Sequence, residues 1–304
     1  MKSKIALLLS VILITQISCE NNSSEKQTPI DAEPIFMDLS SYYTQSNLKS
    51  THGEGVPENL RLFKAEYLTI GESGKIGRTI FFSHTDNKKQ LADFVPELAL
   101  DGTSKVSYYI DESRACLDLP LSITTPAIQR AMAAWDDLAA SNLGMHQRPN
   151  KGKETGFVAA LLGYGGSYRY FGDVTHCGWL APDFFDLLHE NGGSFILAVT
   201  FTIIFDGDFD KNKKADVAWR EIYYNNGFSW RTEDHYDVET IALHEAGHAL
   251  SQGNLGKAYL DAGTGKVHFS PRSVMNAAYS GIQTNFEKTD TTAYSSIWEN
   301  WPYN

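Results

Sequence analysis

An α+β fold built on a mixed sheet is what this 304-residue sequence predicts, and three observations carry the prediction. The nine residues 196–204 are rich in β-branched and aromatic residues, which reads as a well-buried strand. Two other stretches carry apolar residues at helical spacing: Ile128, Met132 and Trp135 in one, and Val238, Ile241, Ala242, Ala249 and Leu250 in the other. Strands and helices also come in groups rather than in strict alternation, which is α+β and not α/β order. Hydrophobic residues make up 42% and charged residues 21% of the chain. That balance suits a packed core and argues against wholesale disorder.

From the N-terminus, Lys2 and Lys4 precede a largely apolar run over 5–14. A basic start and a short apolar stretch predict a secretory signal peptide at 1–18, too short to read as a membrane span. Cys19, followed by Glu20, Asn21 and Asn22, resembles the lipid-modified cysteine of bacterial lipoproteins. The expected location is therefore the bacterial cell envelope with a lipid anchor at Cys19, the alternative being ordinary cleavage and secretion. If Cys19 is lipidated, Cys116 and Cys177 remain; an oxidising compartment permits a bridge, and two buried free thiols are the alternative. Residues 19–55, rich in Asn, Ser, Gln, Lys and Glu, read as a flexible tether.

A small β-rich element is expected over 56–101, with strands at 65–70 and 78–82 around Gly71-Glu72-Ser73-Gly74. The region 102–304 reads as one domain. It opens with a strand over 105–111 and a helix capped by Thr125 with Pro126 in its first turn. The strand at 196–204 then gains a neighbour at 218–224. Asp237 caps the second helix, a hairpin spans 257–268, and a terminal helix covers 289–301.

The net charge is −11. Such a chain gains no electrostatic help in binding nucleic acid or anionic lipid. Nucleic acid is thus not an expected partner, and membrane contact is expected only through the anchor.

The second helix carries His244-Glu245-Ala246-Gly247-His248. Residues four apart share a helix face, so His244 and His248 can hold one metal ion, with zinc the ion that suits paired imidazoles. Glu245, one step round, can reach a water on that metal as general base. The same five residues occur in membrane-bound ATP-dependent proteases. Those need a phosphate-binding loop of the form G-x-x-x-x-G-K-[ST], and this sequence has none.

Downstream, Ser273-Val274-Met275-Asn276-Ala277-Ala278-Tyr279 resembles the methionine turn of the metzincin zinc peptidases, and Tyr279, four residues past Met275, is closest to their matrixin branch. The resemblance covers about 105–304. It implies a metzincin-like domain with a mixed sheet, a long helix, a zinc helix, a methionine turn and a C-terminal helix. It also implies an endopeptidase acting on protein or peptide substrates, with Met275 beneath the metal and the stretch through Tyr279 lining a specificity pocket.

The sequence departs from the family pattern in two places. Ser251 stands where the helix-ending Gly belongs, and Asn254 stands where the third ligand, His or Asp, belongs. A neutral amide oxygen is a poor zinc ligand. Three accounts stay open: Asn254 binds weakly, His268 or Asp261 replaces it, or the protein is a catalytically impaired binding relative. Separately, Asp206, Asp208 and Asp210 alternate after a strand, with Asp216 following. This is a candidate Ca²⁺ site, aided by the structural calcium common in matrixins, against an exposed acidic turn as the alternative. Cys116 follows the first strand of the domain, the wrong side for the zinc-blocking cysteine of a matrixin propeptide. His176 is a weaker candidate metal ligand.

Overall fold

The structure is a computed structural model describing residues 27–41, 57, 59–83, 92–95, 102–138 and 142–302. The signal segment and Cys19 lie outside the described residues. Strands β1 (Gln27–Ile30), β2 (Ile35–Phe36), β3 (Leu60–Thr69), β4 (Thr79–Phe81), β5 (Ala92–Phe94) and β6 (Ser107–Ile110) come first, then helix α1 (Leu121–Asp136). There follow β7 (His146–Gln147), α2 (Phe157–Leu162), β8 (Val174–Leu180), α3 (Pro182–Asp186), β9 (Ile196–Phe205) and β10 (Ala215–Asn225). The chain continues through β11 (Trp230–Arg231), β12 (Tyr236–Asp237), α4 (Val238–Ala249), β13 (Lys257–Asp261), β14 (Val267–Ser270) and α5 (Lys288–Trp298).

A nine-stranded mixed sheet runs β2-β4-β3-β9-β10-β8-β6-β7, with β5 parallel to the start of β10. β9 is antiparallel to β10, while β10, β8, β6 and β7 run parallel. One face packs against α1, α4 and α5 around Trp135, Leu243, Met275 and Trp298. The other packs against α2 and α3 around Phe157, Phe184, Phe201 and Tyr223. With five α-helices among the described residues, the architecture is mixed α+β.

The strands expected within 56–101 do not form a separate sheet. β3 lies antiparallel along the whole of β9, from Leu60↔Phe205 to Thr69↔Ile196, and β4 pairs with β3 as the expected hairpin. Phe63, Ala65, Tyr67 and Leu68 are buried on it, so β3 is an inner strand flanked on both sides. Residues 27–36, read from composition as tether, include β1 and β2; β1 pairs antiparallel with the edge of β13, whose free backbone groups accept it. Helix α1 starts a turn before the expected Thr125 cap, because its first turn closes on the Pro120 carbonyl through Ile123 and Thr124. Pro126 therefore sits inside the helix, and Thr125 Oγ1 donates to Glu112 at 2.9 Å. Cys116 and Cys177 are buried free thiols in opposite cores, so no bridge links them.

Candidate metal centre

Helix α4 begins where expected. The Asp237 carboxylate accepts from Thr240 N at 2.7 Å and from Thr240 Oγ1 at 2.7 Å. Val238, Ile241, Leu243, Ala246 and Ala249 pack between α1 and the sheet, while His244, Glu245 and His248 turn toward β3 and β9. All three are at most 2% exposed.

His244 Nδ1 lies 2.8 Å from the Val274 carbonyl, and His248 Nδ1 lies 2.9 Å from the Gln252 carbonyl. A carbonyl only accepts, so in each ring Nδ1 carries the proton and Nε2 keeps its lone pair. Both Nε2 atoms are buried without a hydrogen-bond partner. The rings stand 4.7 Å apart at 89°. Burial drives the His244 pKa well below the usual imidazole value, with His248 adding to the effect. Burial also lowers that of His248, partly opposed by Glu66. Two neutral imidazoles with free Nε2 lone pairs are the form a metal requires.

Glu245 Oε2 accepts from Thr200 Oγ1 on β9 at 2.5 Å, and its Oε1 has no hydrogen-bond partner. Burial pushes its pKa well above the ordinary carboxylate value, with Glu66 adding to the rise. One oxygen is thus held in place and the other is available.

The turn Ser273–Asn276 lies beneath this helix and supplies the carbonyl for His244. A Cβ added to Gly247 would fall 2.3 Å from Met275 Sδ and 2.8 Å from Trp135 Cζ2, so the close approach of Met275 requires glycine there. Asp290, fully buried in the first turn of α5, secures the turn by accepting from Ser273 Oγ and from Val274 N at 3.1 Å. The sequence reading missed Asp290; its signal was the capping box with Glu287.

Tyr279 Oη donates to the His235 carbonyl and accepts from Asp237 N at 3.3 Å, bracing the entry to α4. The cavity it shares with His244 and Val274 is about 20 Å³, room for about one water rather than a side chain. Burial pushes its hydroxyl up to about 12.

Ser251 adopts a left-handed backbone, with φ +67°, the conformation that favours glycine. Gln252 N bonds the Gly247 carbonyl at 2.9 Å and Ser251 N bonds the His248 carbonyl at 3.1 Å, which closes the helix in a Schellman turn. The same turn presents the Gln252 carbonyl to His248. A left-handed serine costs about 1 kcal/mol, offset here by Oγ bonds to the Ala92 carbonyl at 3.0 Å and from Arg220 Nη2 at 2.9 Å. Ser251→Ala keeps the unfavourable backbone and loses both bonds, and should lower unfolding stability by about 1–2 kcal/mol in urea titrations.

Asn254 Oδ1 is buried without a hydrogen-bond partner. The residue lines a cavity of about 540 Å³ together with Glu66, Arg78, Gly256 and Ala277. His268 and Asp261 do not join the imidazoles. The His268 side chain is 55% exposed on β14, with Nε2 4.0 Å from Asp261 Oδ2. Asp261 holds its hairpin turn by accepting from Gly263 N at 2.7 Å and Thr264 N at 2.9 Å. Among the described residues, no third His, Cys, Asp or Glu forms with His244 and His248 a group whose ligand atoms all lie within 4.8 Å of one another. His176 is buried with Nδ1 2.8 Å from Tyr224 Oη, and burial pushes its pKa down to about 3, which makes it a neutral core residue.

One carboxylate that the sequence reading left out does approach. Glu66 on β3 places Oε2 3.7 Å from His248 Nδ1 and 2.7 Å from Lys64 Nζ.

The acidic loop after β9 gathers a different set from the expected one. Asp206 turns away into an ion pair with Arg61 at 3.1 Å. Asp210 and Asp216 come together with Asp93 of β5, their carboxylate oxygens within 4.8 Å of one another. Oδ1 atoms of Asp208 and Asp216 are buried without hydrogen-bond partners. Burial raises the Asp216 pKa, and Asp210, Asp208 and Asp93 raise it further. Asp93 was not legible because β5 meets this loop from more than a hundred residues upstream.

No protein-family model matches this chain, and no curated protein matches it. No helix among the described residues is long and apolar enough to cross a membrane.

Proposed function

We propose that this protein is an exported zinc-dependent endopeptidase of metzincin type, closest to the matrixin branch, held at the cell envelope by a lipid on Cys19. The observation that carries the reading is the donor set on α4. Two neutral imidazoles have Nδ1 fixed by carbonyls and Nε2 unpartnered, and beside them Glu245 Oε1 is unpartnered. These residues fit zinc, with His244 and His248 as ligands and Asn254 as a neutral third donor.

When bound, zinc would lower the pKa of a water and polarise the scissile carbonyl. Thr200 holds Glu245 Oε2, so Oε1 is the atom that takes the proton of the attacking water. The same oxygen then returns that proton to the leaving amine. Met275 supports the helix under the histidines, and Tyr279 fixes the approach of its first turn. The cavity of about 540 Å³ beside Asn254 and Glu66 is of a size that accommodates part of a peptide, and His244, Glu245 and His248 are not among its lining residues.

A second reading is a binding protein that retains this site without turnover. It is favoured by Asn254 and by the burial of His244, Glu245 and His248 to at most 2% exposure. Zinc content and peptide-library cleavage of the full chain against His244→Ala decide between them. Zinc with cleavage, both lost in His244→Ala, supports the peptidase; zinc without cleavage supports the binding protein; neither in the wild type sinks the zinc reading. Membrane association that survives Cys19→Ala would refute the anchor.

The loop cluster of Asp93, Asp210 and Asp216 is proposed as a structural Ca²⁺ site, with the buried, unpartnered Oδ1 of Asp208 as a further donor. Ca²⁺ at a hundred times its Kd should stabilise the fold by about 2.7 kcal/mol. Asp93→Asn should remove that increment in calorimetry at saturating zinc. A melting temperature indifferent to Ca²⁺ would exclude the site.

A further inference from the structure

The donor set of α4 and the loop after it has a shortage of charge. Two neutral imidazoles and a neutral amide would leave a dication without an anionic ligand in a buried site, a costly arrangement unless a carboxylate stands close. Glu245 is one carboxylate, but its free oxygen is required as base. The other lies outside α4 and the loop that follows it. β3 runs antiparallel along β9, and Glu66 is opposite Thr200, the residue that holds Glu245. Directly opposed residues in a pair of strands point to the same face, so Glu66 faces the metal helix alongside Thr200. Glu66 is 3% exposed, Oε2 is 3.7 Å from His248 Nδ1, and its side chain borders the same cavity as Asn254.

We propose that Glu66 is a positioning residue of the metal site, standing behind His248 and supplying the negative charge that Asn254 does not. A carboxylate on the Nδ1 side of a ligating imidazole fixes its orientation and makes Nε2 a stronger donor. Here the Gln252 carbonyl accepts the Nδ1 proton at 2.9 Å, and Glu66 reinforces the same polarity from β3. Lys64, 2.7 Å from Glu66 with its side chain 9% exposed, forms a buried ion pair with that carboxylate. The assignment gives β3 a reason to be part of the sheet: it delivers to α4 a group that the metal helix and its following loop lack.

The inference rests on the zinc reading, and the test separates their failures. Zinc affinity is measured on the full chain by chelator competition, with the visible spectrum of the Co²⁺-substituted protein as a second readout. Glu66→Gln should weaken zinc by about 10- to 100-fold and shift the Co²⁺ bands. Glu66→Asp should remain closer to wild type, and adding Asn254→Asp to Glu66→Gln should recover affinity by restoring a carboxylate. Lys64→Met, which removes the ion pair but keeps the carboxylate, should bind zinc at least as tightly as wild type. Unchanged affinity in Glu66→Gln, while His244→Ala abolishes binding, overturns the role of Glu66 alone. Equal weakening in Lys64→Met and Glu66→Gln assigns the effect to strand packing and also overturns it. A wild type that binds no zinc overturns both readings.

Discussion

Replacement of Asn254 by His is expected to tighten zinc binding by about 10- to 100-fold and to raise peptide cleavage with it. The amide offers a neutral oxygen, whereas imidazole offers a stronger nitrogen donor. Asn254 Oδ1 is already buried without a hydrogen-bond partner, so the exchange sacrifices no hydrogen bond at that atom. Isothermal titration and chelator competition read the affinity; cleavage at saturating zinc tests whether a better-held metal also works better. Should Asn254→His leave affinity unchanged, another group supplies the third bond. His268→Ala is a control expected to do nothing, since its ring is exposed and faces Asp261.

The second large effect is expected from Glu245→Gln. Amide for carboxylate is close to isosteric, and the Thr200 hydroxyl can still donate to the amide oxygen. Fold and zinc content should therefore persist. The amide cannot accept the proton of the attacking water, so cleavage should fall by about 10²- to 10⁴-fold. Retained cleavage would remove Glu245 from the base position. Loss of zinc together with cleavage would show that the carboxylate serves the metal instead, leaving Glu66, 3.7 Å from His248 Nδ1, as the next acid to consider.

Local pattern in the sequence disclosed most of α4 and the antiparallel pair β9–β10, because capping, helical spacing and β-branched runs act over a few residues. Asp237, His244, Glu245, His248 and the Met275 turn were legible for that reason. What stayed hidden depends on distant pairing. Lys64 and Glu66 alternate with buried residues on β3 and look like the solvent face of an ordinary strand. Only the register with β9 turns that face toward α4. Asp93 is hidden likewise, since β5 is brought to the loop after β9 by pairing in parallel with the start of β10. The start of α1 was misjudged because Pro126 normally marks a first turn, yet here one helix bond is forgone in the interior. Ser251 looked like the loss of a glycine, while its hydroxyl holds the glycine conformation through Arg220 and Ala92.

The pairing of β3 with β9 also bears on how the molecule is made. β3 emerges from the ribosome early and β4 follows at once to pair one of its edges, but β9, the antiparallel partner along its other edge, follows more than a hundred residues later. Contacts so far apart in the chain are slow to form, because the intervening loop must close before any pairing is rewarded. Until then one edge of β3 is unpaired on a strand carrying Phe63, Tyr67 and Leu68, and that edge invites pairing with other chains. Assembly of the histidine pair with Glu66 behind it is thus a late event, and a nascent chain halted before β9 has helix α1 but no place to hold a metal.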